Sequence, residues 1–124
     1  MSTPAGPLTE QQLLNSGMIE LKDAAVNFSQ LDTELLLFCA AAAQLHSVLF
    51  HKPLVITSAR DSKHGEHSKH YAGKAVDIRL HDIEPLGLLL FVSGCDYMAG
   101  HAGCGVFHEF PGTDDEHLHV ETNA

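Results

Sequence analysis

The stretch from Ser68 to Asp77 holds a histidine and a carboxylate seven positions apart, two kinds of side chain that bind divalent cations. Between His70 and Asp77 lies Gly73, which can adopt the positive φ of a tight turn at little cost. Such a turn lets His70 fold back toward the segment that carries Asp77. The pattern indicates a metal site, although the pair alone is equally typical of a loop histidine and a solvated aspartate.

The residues after Gly73 favour a strand over a helix, because Val76 and Ile78 are β-branched. Side chains alternate along a strand, so Ala75 and Asp77 share one face while Val76 and Ile78 are buried on the other. A small alanine beside Asp77 leaves space for a bound ion. We therefore predict that Asp77 points to the polar face of a sheet.

The last part of the chain offers a third ligand, which a catalytic zinc ion commonly needs beside an open position for water. The run from Glu116 to Glu121 alternates apolar with polar residues, and His117 and His119 lie on its polar face. Each has a carboxylate three positions earlier, Glu116 for His119 and Asp114 for His117. A carboxylate that close can take a proton during catalysis if it lies in the turn that enters the strand.

Arg60 is a candidate for the same site, because it closely follows the β-rich run from Leu54 to Thr57. A cation at the end of a buried strand is well placed in a cleft, where it can stabilise negative charge. Alternatively, Arg60 forms a surface ion pair with Asp61 or Glu66, a kind of contact that contributes little to stability.

The composition describes one compact globular domain and excludes some functions. Of the 124 residues 44% are hydrophobic, enough to form a core. A net charge of -9 and only seven lysines and arginines disfavour nucleic acid as a partner, because its binding depends heavily on these residues. The three cysteines, Cys39, Cys95 and Cys104, are odd in number and lack CxxC spacing, so we expect buried or reduced thiols.

The chain lacks the marks of secretion and of membrane insertion. Its first seven residues have no basic region followed by an apolar core, so we expect the protein to be cytoplasmic in the cell that produces it. The longest apolar run, Leu35 to Ala43, is shorter than the roughly 20 residues that cross a bilayer. We therefore expect no membrane insertion.

The pattern of helices and strands that must position these residues predicts a single α+β domain, with helices packed on a small, mostly antiparallel sheet. Residues 1–27 form a lead that is flexible or holds a short helix, and residues 28–124 form the domain proper. The predicted elements are a principal helix from a cap at Ser29–Asp32 to Phe50, a helix over Leu86–Val92 capped by His81–Asp82, strands at Leu54–Thr57, Lys74–Leu80, Val106–Phe110 and Glu116–Glu121, and turns at Gly94, Gly100, Gly103 and Gly105.

Two motifs resemble those of a known enzyme family. Ser68-x-His70-x-x-Gly73-x-Ala75-x-Asp77 followed by Glu116-x-x-His119 looks like the zinc D-Ala-D-Ala carboxypeptidases, peptidase family M15, which includes phage endolysins and shares its fold with the Hedgehog signalling domain. The stretch from Val55 to Arg60 is similar to the family's strand that carries an active-site arginine, and Phe28-Ser29 and Gly103 to Phe107 are similar too. The resemblance covers about residues 28–121 and implies a Hedgehog-like fold.

The resemblance implies a role for each matching residue. His70, Asp77 and His119 would hold Zn²⁺, and Glu116 would be the general base. Arg60 would stabilise the polarised carbonyl oxygen or anchor the substrate. The substrate-binding residues expected beside it are Arg60, Ser68 and His117.

The implied reaction is hydrolysis of an amide bond in peptidoglycan peptides that contain D-amino acids. The enzyme would be a D,D-carboxypeptidase or an L-alanyl-D-glutamate endopeptidase, and the sequence does not choose between them. The small size suggests a phage lysis enzyme that acts on the cell wall after release, or a virion component with other phage virion proteins as partners.

The alternative is a non-catalytic zinc-binding module with a structural or binding role, for example in a phage particle. A structural zinc site is typically closed by four protein ligands, and His117, His67 or a cysteine could be the fourth. Retention of Glu116 and Arg60 favours the enzyme over the module.

Overall fold

The computed structural model describes residues 7–60 and 72–123 of the chain. Within those ranges the elements follow in the order α1 (Glu10–Asn15), β1 (Ile19–Leu21), α2 (Thr33–Phe50), β2 (Leu54–Ser58), β3 (Ala75–Arg79), α3 (Pro85–Ala102), β4 (Cys104–Glu109) and β5 (His117–Thr122). The predicted principal helix is therefore present as α2, and the two predicted strands that carry Asp77 and His119 are present as β3 and β5.

The strands form one mixed sheet in the order β1-β2-β3-β5-β4. β1 pairs with β2 in parallel, and the three other neighbouring pairs are antiparallel. This sheet with its packed helices confirms the prediction of a single small α+β domain with a mostly antiparallel sheet. The two strands that carry the candidate ligands, β3 and β5, lie side by side within the sheet.

The sheet has one apolar and one polar face, as the alternation in β3 and β5 predicts. Val76, Ile78, Leu118 and Val120 are fully buried in the core together with residues of α2 and α3. We call this the helix-covered face. The opposite face, which we call the polar face, carries the side chains of Asp77, Arg79, Glu109, His117, His119 and Glu121.

The long helices supply most of the core on the helix-covered face. Leu35, Phe38 and Cys39 of α2 pack with Phe91 and Cys95 of α3, and all five are buried. By length and composition α2 could also cross a membrane, with a mean hydropathy of 1.5. Its packing against α3 and the sheet accounts for that apolar composition.

The structure corrects the predicted bounds of the second long helix. Gly94 and Gly100, which the sequence analysis placed in turns, lie inside α3, and the helix ends at Gly103. A Cβ atom at position 94 would lie 2.6 Å from Cδ2 of Leu45, so glycine lets α2 and α3 approach closely. The N-cap is Glu84, whose carboxylate accepts two backbone N–H groups, and not His81–Asp82.

The predicted cap of the principal helix also differs. Asp32 occupies the N-cap position of α2, but its carboxylate makes no capping hydrogen bond. It binds Nζ of Lys74 at 2.9 Å instead, and the Asp32 N–H donates to the carbonyl of Gly73. The start of α2 is thereby joined to the turn that enters β3.

Residues 7–27, assigned to the lead in the sequence analysis, contribute to the same sheet. Thr9 and Gln12 form a capping box at the start of α1. β1 adds a parallel strand to β2, with Ile19 opposite Leu54. The side chains of Ile19 and Val26 are buried in the core.

Candidate metal centre

Asp77 and His119 meet on the polar face because their strands pair in the register that places them opposite each other. Nδ1 of His119 lies 3.0 Å from Oδ1 of Asp77. Cross-strand partners on one face have Cβ atoms about 4.5–5.5 Å apart, so side chains of this length reach each other directly. Two of the three ligands expected from the sequence are therefore neighbours.

A β-bulge next to this pair positions Asp77. Ile56 of β2 pairs with Ile78, whereas Ser58 pairs with Asp77, so Thr57 is an extra residue in β2. The Thr57 hydroxyl donates to the carbonyl of Asp77 over 3.4 Å. Bulges bend a strand and redirect its side chains, and they are frequent beside active sites.

The imidazole of His119 is held between two carboxylates. Nε2 lies 2.9 Å from Oε1 of Glu121, on the side away from Asp77. The hydrogen bond to Asp77 is the largest cause of a rise in the pKa of His119 to about 8; burial opposes this rise and Glu121 adds to it. In metal ligation, a carboxylate on the outer ring nitrogen typically orients the histidine.

A second group of ligand atoms lies on the other side of Asp77. Nε2 of His117 is 2.8 Å from Oε1 of Glu109 and 3.8 Å from Oδ1 of Asp77. One ligand atom from each of Asp77, Glu109 and His117 lies within 4.8 Å of the others, so these three residues could hold a metal ion. The structure thus contains a possible metal-binding triad at Asp77.

A cleft of about 310 Å³ adjoins this triad at one end of the sheet. Clefts of this size are large enough to bind a small molecule or part of a peptide. Cationic and acidic groups both face it. Its lining residues are Lys22, Thr57, Arg79, His81, Phe110, Asp114, Asp115, Glu116 and His117.

Glu116, the expected general base, directs its carboxylate away from Asp77. Its Oε2 atom lies 2.6 Å from Nε2 of His108. His108 is the register partner of Leu118, which is buried on the helix-covered face. Because side chains alternate, this contact lies across the sheet from Asp77 and His119. The sequence alone left open which way Glu116 points.

Arg60 lies beyond the end of β2, where its guanidinium contacts the side chain of Gln30. Its backbone N–H donates to the carbonyl of Asn27 at 2.9 Å. The Arg60 side chain also borders the turn at Gly73, which leads into β3. Arg60 is therefore close to the turn that precedes β3, the strand that carries Asp77.

The remaining predicted site residues lie outside the described part of the chain. They are His70, the expected first zinc ligand, and Ser68, an expected substrate contact, together with His67, considered as a fourth ligand. Of the three predicted zinc ligands, the structure thus describes Asp77 and His119.

Glu109 is a candidate ligand that was not predicted from the sequence. The run from Val106 to Phe110 was predicted as a strand, and its alternation puts Phe107 and Glu109 on one face. Only the pairing of β4 with β5, which sets Glu109 opposite His117, shows that this face is the one with Asp77. The alternation of side chains in β4 thus indicated which residues share a face with Glu109, but not which strand β4 pairs with.

Comparisons with known proteins leave the family open. A scan against protein-family models finds no match, and a search of curated proteins finds none either. The resemblance to the zinc carboxypeptidases therefore rests on the motif residues alone.

Proposed function

We propose that this protein is a zinc-dependent peptidase that hydrolyses an amide bond in cell-wall peptides containing D-amino acids. The observation that carries the proposal is the contact between Asp77 and His119, two residues 42 positions apart whose side chains meet on the polar face. They belong to the two motifs that resemble the zinc carboxypeptidases. The cell wall would be reached by release from the producing cell or as part of a phage particle.

The donor set fits zinc. Imidazole nitrogen and carboxylate oxygen are common zinc ligands, and three protein ligands are typical of catalytic sites. Asp77 and His119 would hold the ion together with His70, the third ligand that the resemblance implies. A zinc ion held there would supply Lewis acidity for an amide carbonyl and a nucleophile at neutral pH.

The side chains around the site support binding of a charged peptide. Arg79 is the register partner of His117, and both line the cleft together with Lys22. The positive charges of Arg79 and Lys22 suit a carboxylate of the substrate, of which cell-wall peptides carry several. Glu121 holds His119 in a fixed orientation through its outer ring nitrogen.

Proton transfer is assigned to Glu116 on the strength of the motif. To reach the polar face, the Glu116 carboxylate has to leave His108 and turn across the end of β5. Glu116 directly precedes β5, where its N–H donates to the carbonyl of Thr113 and its carbonyl accepts from Leu80, so this move is a rotation of the side chain alone. Substrate binding in the adjoining cleft, which Glu116 also lines, is the event expected to favour that rotation.

A non-catalytic zinc-binding module is the second candidate, and one observation favours it. The Glu116 carboxylate is 9% exposed and paired with His108 at 2.6 Å. An acid held in this way contributes to folding without taking part in catalysis. On this alternative the zinc ion would stabilise the domain or a contact with a phage structural protein.

Digestion of purified peptidoglycan by the zinc-loaded protein tests the proposal. Mass spectrometry of the soluble products should show either loss of terminal D-alanine or new termini between L-alanine and D-glutamate. Asp77→Asn and His119→Gln should each remove the zinc ion bound at His119 and abolish turnover. Asp96→Asn, which removes an exposed carboxylate from α3, serves as the matched control and should keep both.

Glu116→Gln separates the two candidate functions. If Glu116 is the base, turnover should fall by about 10²–10⁴-fold while the zinc ion at Asp77 and His119 stays bound. Absence of any cleavage by folded, zinc-loaded wild-type protein would refute the peptidase and leave the module.

A further inference from the structure

We infer that Asp77, Glu109 and His117 form a second divalent-cation site, separate from the proposed zinc position at His119 and sharing Asp77 with it. The inference does not depend on peptidase activity. The two-ion arrangement does depend on a first ion at Asp77 and His119, which belongs to the proposed function. The ion expected at the second site is of the zinc class, because its donors are one imidazole and two carboxylates.

The first argument is the geometry of the donors. Nε2 of His117 lies 2.8 Å from Glu109 and 3.8 Å from Asp77, and the three donor atoms lie within 4.8 Å of one another. Zinc–ligand bonds are about 2.0–2.2 Å long, so two donors on one ion can be at most about 4.4 Å apart. The separations of 2.8 Å and 3.8 Å lie within this limit. Small side-chain adjustments are enough for all three to bind one ion.

The second argument is the tautomer of His117. Its Nδ1 atom lies 2.7 Å from the backbone carbonyl of Asp115. A carbonyl oxygen can only accept, so Nδ1 donates a proton there and Nε2 is left to face Glu109 and Asp77. Histidines that bind metals almost always donate their outer N–H to a carbonyl or carboxylate in this way.

The third argument is the position of Asp77 between two histidines. Its Oδ1 atom is 3.0 Å from His119 and 3.8 Å from His117. Each of these imidazoles has its outer nitrogen held by another oxygen, from Glu121 and from Asp115 respectively. A carboxylate flanked in this way can bridge two ions, which in two-metal sites lie about 3.5–4 Å apart.

Charge and access agree with this assignment. Three carboxylates, from Asp77, Glu109 and Glu121, surround the two imidazoles on the polar face. Arg79, beside His117, lies 3.6 Å from Asp82, which already offsets part of its charge. The Glu109 side chain is 43% exposed, so an ion from solvent can reach the triad.

Equilibrium dialysis of the metal-free protein against Zn²⁺, followed by metal analysis, tests the inference. Wild-type protein should bind two ions per chain. Glu109→Gln and His117→Gln should each bind one, and His119→Gln should also keep one ion. Asp96→Asn controls for the loss of a carboxylate elsewhere, and circular dichroism establishes that each variant is folded.

Substitution with Co²⁺ identifies which ion each variant has lost. The visible absorption bands of the ion left in His117→Gln and of the ion left in His119→Gln should differ, because the ligand sets differ. One ion in wild-type protein that is unaffected by His117→Gln would overturn the inference. One ion that is lost in His117→Gln and retained in His119→Gln would overturn the shared two-ion arrangement.

Discussion

Among the residues that the structure describes, Thr57, His117 and His119 contact Asp77 and help to position its carboxylate. Its backbone carbonyl accepts from Thr57 at the bulge, and its Oδ1 atom faces the imidazoles of His117 and His119. The carboxylate is only 14% exposed, so it is largely shielded from water. Shielding strengthens its attraction for cations, because the effective dielectric constant at such a position is lower than in bulk water.

Glu121 is expected to tune the zinc affinity of His119. Its Oε1 atom lies 2.9 Å from Nε2 of that residue and orients the ring. Removing such an outer partner typically costs 10–100-fold in affinity, so Glu121→Ala should weaken zinc binding by about that factor. Competition with a chromophoric chelator measures it. The control is Glu20→Ala, an exposed strand glutamate far from the triad; equal affinities in the two variants would contradict the role given to Glu121.

His46 gives the domain a pH dependence that is independent of the metal centre. It is buried against Phe50 and Phe91, and its Nδ1 donates to the carbonyl of Lys52. Burial is the largest cause of a lowered pKa; the charge of Lys52 lowers it further and the hydrogen bond opposes the shift. The unfolded chain, with an ordinary pKa of about 6.5, therefore binds a proton more readily than the folded protein.

The free energy of unfolding should consequently fall as the pH drops below about 6.5, and His46 should have no such effect above that value. Urea unfolding of metal-free protein between about pH 7.5 and pH 5.5, which is about 1 unit either side of the ordinary histidine pKa, measures this slope. His46→Gln should reduce the slope, whereas His101→Gln, at an exposed position of α3, should leave it unchanged. An unaltered slope in His46→Gln would count against the assignment.

At the scale of the elements, several hydrogen bonds and one ion pair hold the entry into β3. The carbonyl of Gly73 accepts from Asp32, and Lys74 pairs with the Asp32 carboxylate at 2.9 Å. The Lys74 carbonyl accepts from Thr122 at 2.8 Å, which joins this entry to the end of β5. These contacts join the start of β3 to the start of α2 and to the end of β5. They thereby help to keep Asp77 opposite His119.

Gly73→Ala should destabilise the protein more than Gly103→Ala does. Both glycines have positive φ, +77° and +73°, so alanine meets a similar backbone penalty at each, about 1–2 kcal/mol. A Cβ at position 73 would also lie 2.4 Å from the carbonyl oxygen of Gln30, whereas at position 103 it meets nothing within 4 Å. Overpacking of this kind adds about 1–3 kcal/mol.

Urea unfolding of the two variants measures the difference. Zinc affinity should fall in Gly73→Ala as well, because the turn positions β3, and it should be unchanged in Gly103→Ala. Equal losses of stability in the two variants would show that the contact with Gln30 is relieved at no cost.

At the scale of the whole molecule, the sheet separates the hydrophobic core on its helix-covered face from the candidate metal ligands on its polar face. α2 and α3 cover one face and form the core, while the other face carries the imidazoles and carboxylates of the candidate metal centre. The net charge of -9 agrees with a surface that attracts cations. The core can therefore provide stability without restricting which groups occupy the polar face.

Deleting residues 1–27 should destabilise the domain strongly. The deletion removes β1 from the edge of β2 and takes away the buried side chains of Leu13, Ile19 and Val26. Each such side chain contributes about 1.5–3 kcal/mol on burial, against a total stability of about 5–15 kcal/mol for a typical domain. Thermal unfolding and light scattering should show a lower Tm and association through the exposed β2 edge.

Deletion of residues 1–6 is the control for this experiment and leaves α1 and β1 in place. Comparing its Tm with that of the full chain separates the contribution of residues 7–27 from that of the first six residues. A fragment of residues 28–124 as stable as the full chain would instead mean that the lead contributes nothing to folding.

Local patterns in the sequence were sufficient for the α+β class, for α2 and for the polar faces of β3 and β5. Alternation with a period of two and β-branched residues act within a few positions, so Val76 and Ile78 alone indicate which way Asp77 points. The extent of α3 could not be predicted in the same way. Gly94 looks like a turn residue in the sequence, but it lies inside the helix because Leu45 of α2 packs closely against it.

What tertiary structure alone decided is which side chains share the polar face and in what register. Asp77 meets His119 because β3 pairs with β5, and Glu109 meets His117 because β4 pairs with the other edge of β5. A slip of one residue in either pairing would send these groups to opposite faces. Residue types determined the ligands available to a metal ion, whereas strand pairing over long sequence separations determined which of them converge.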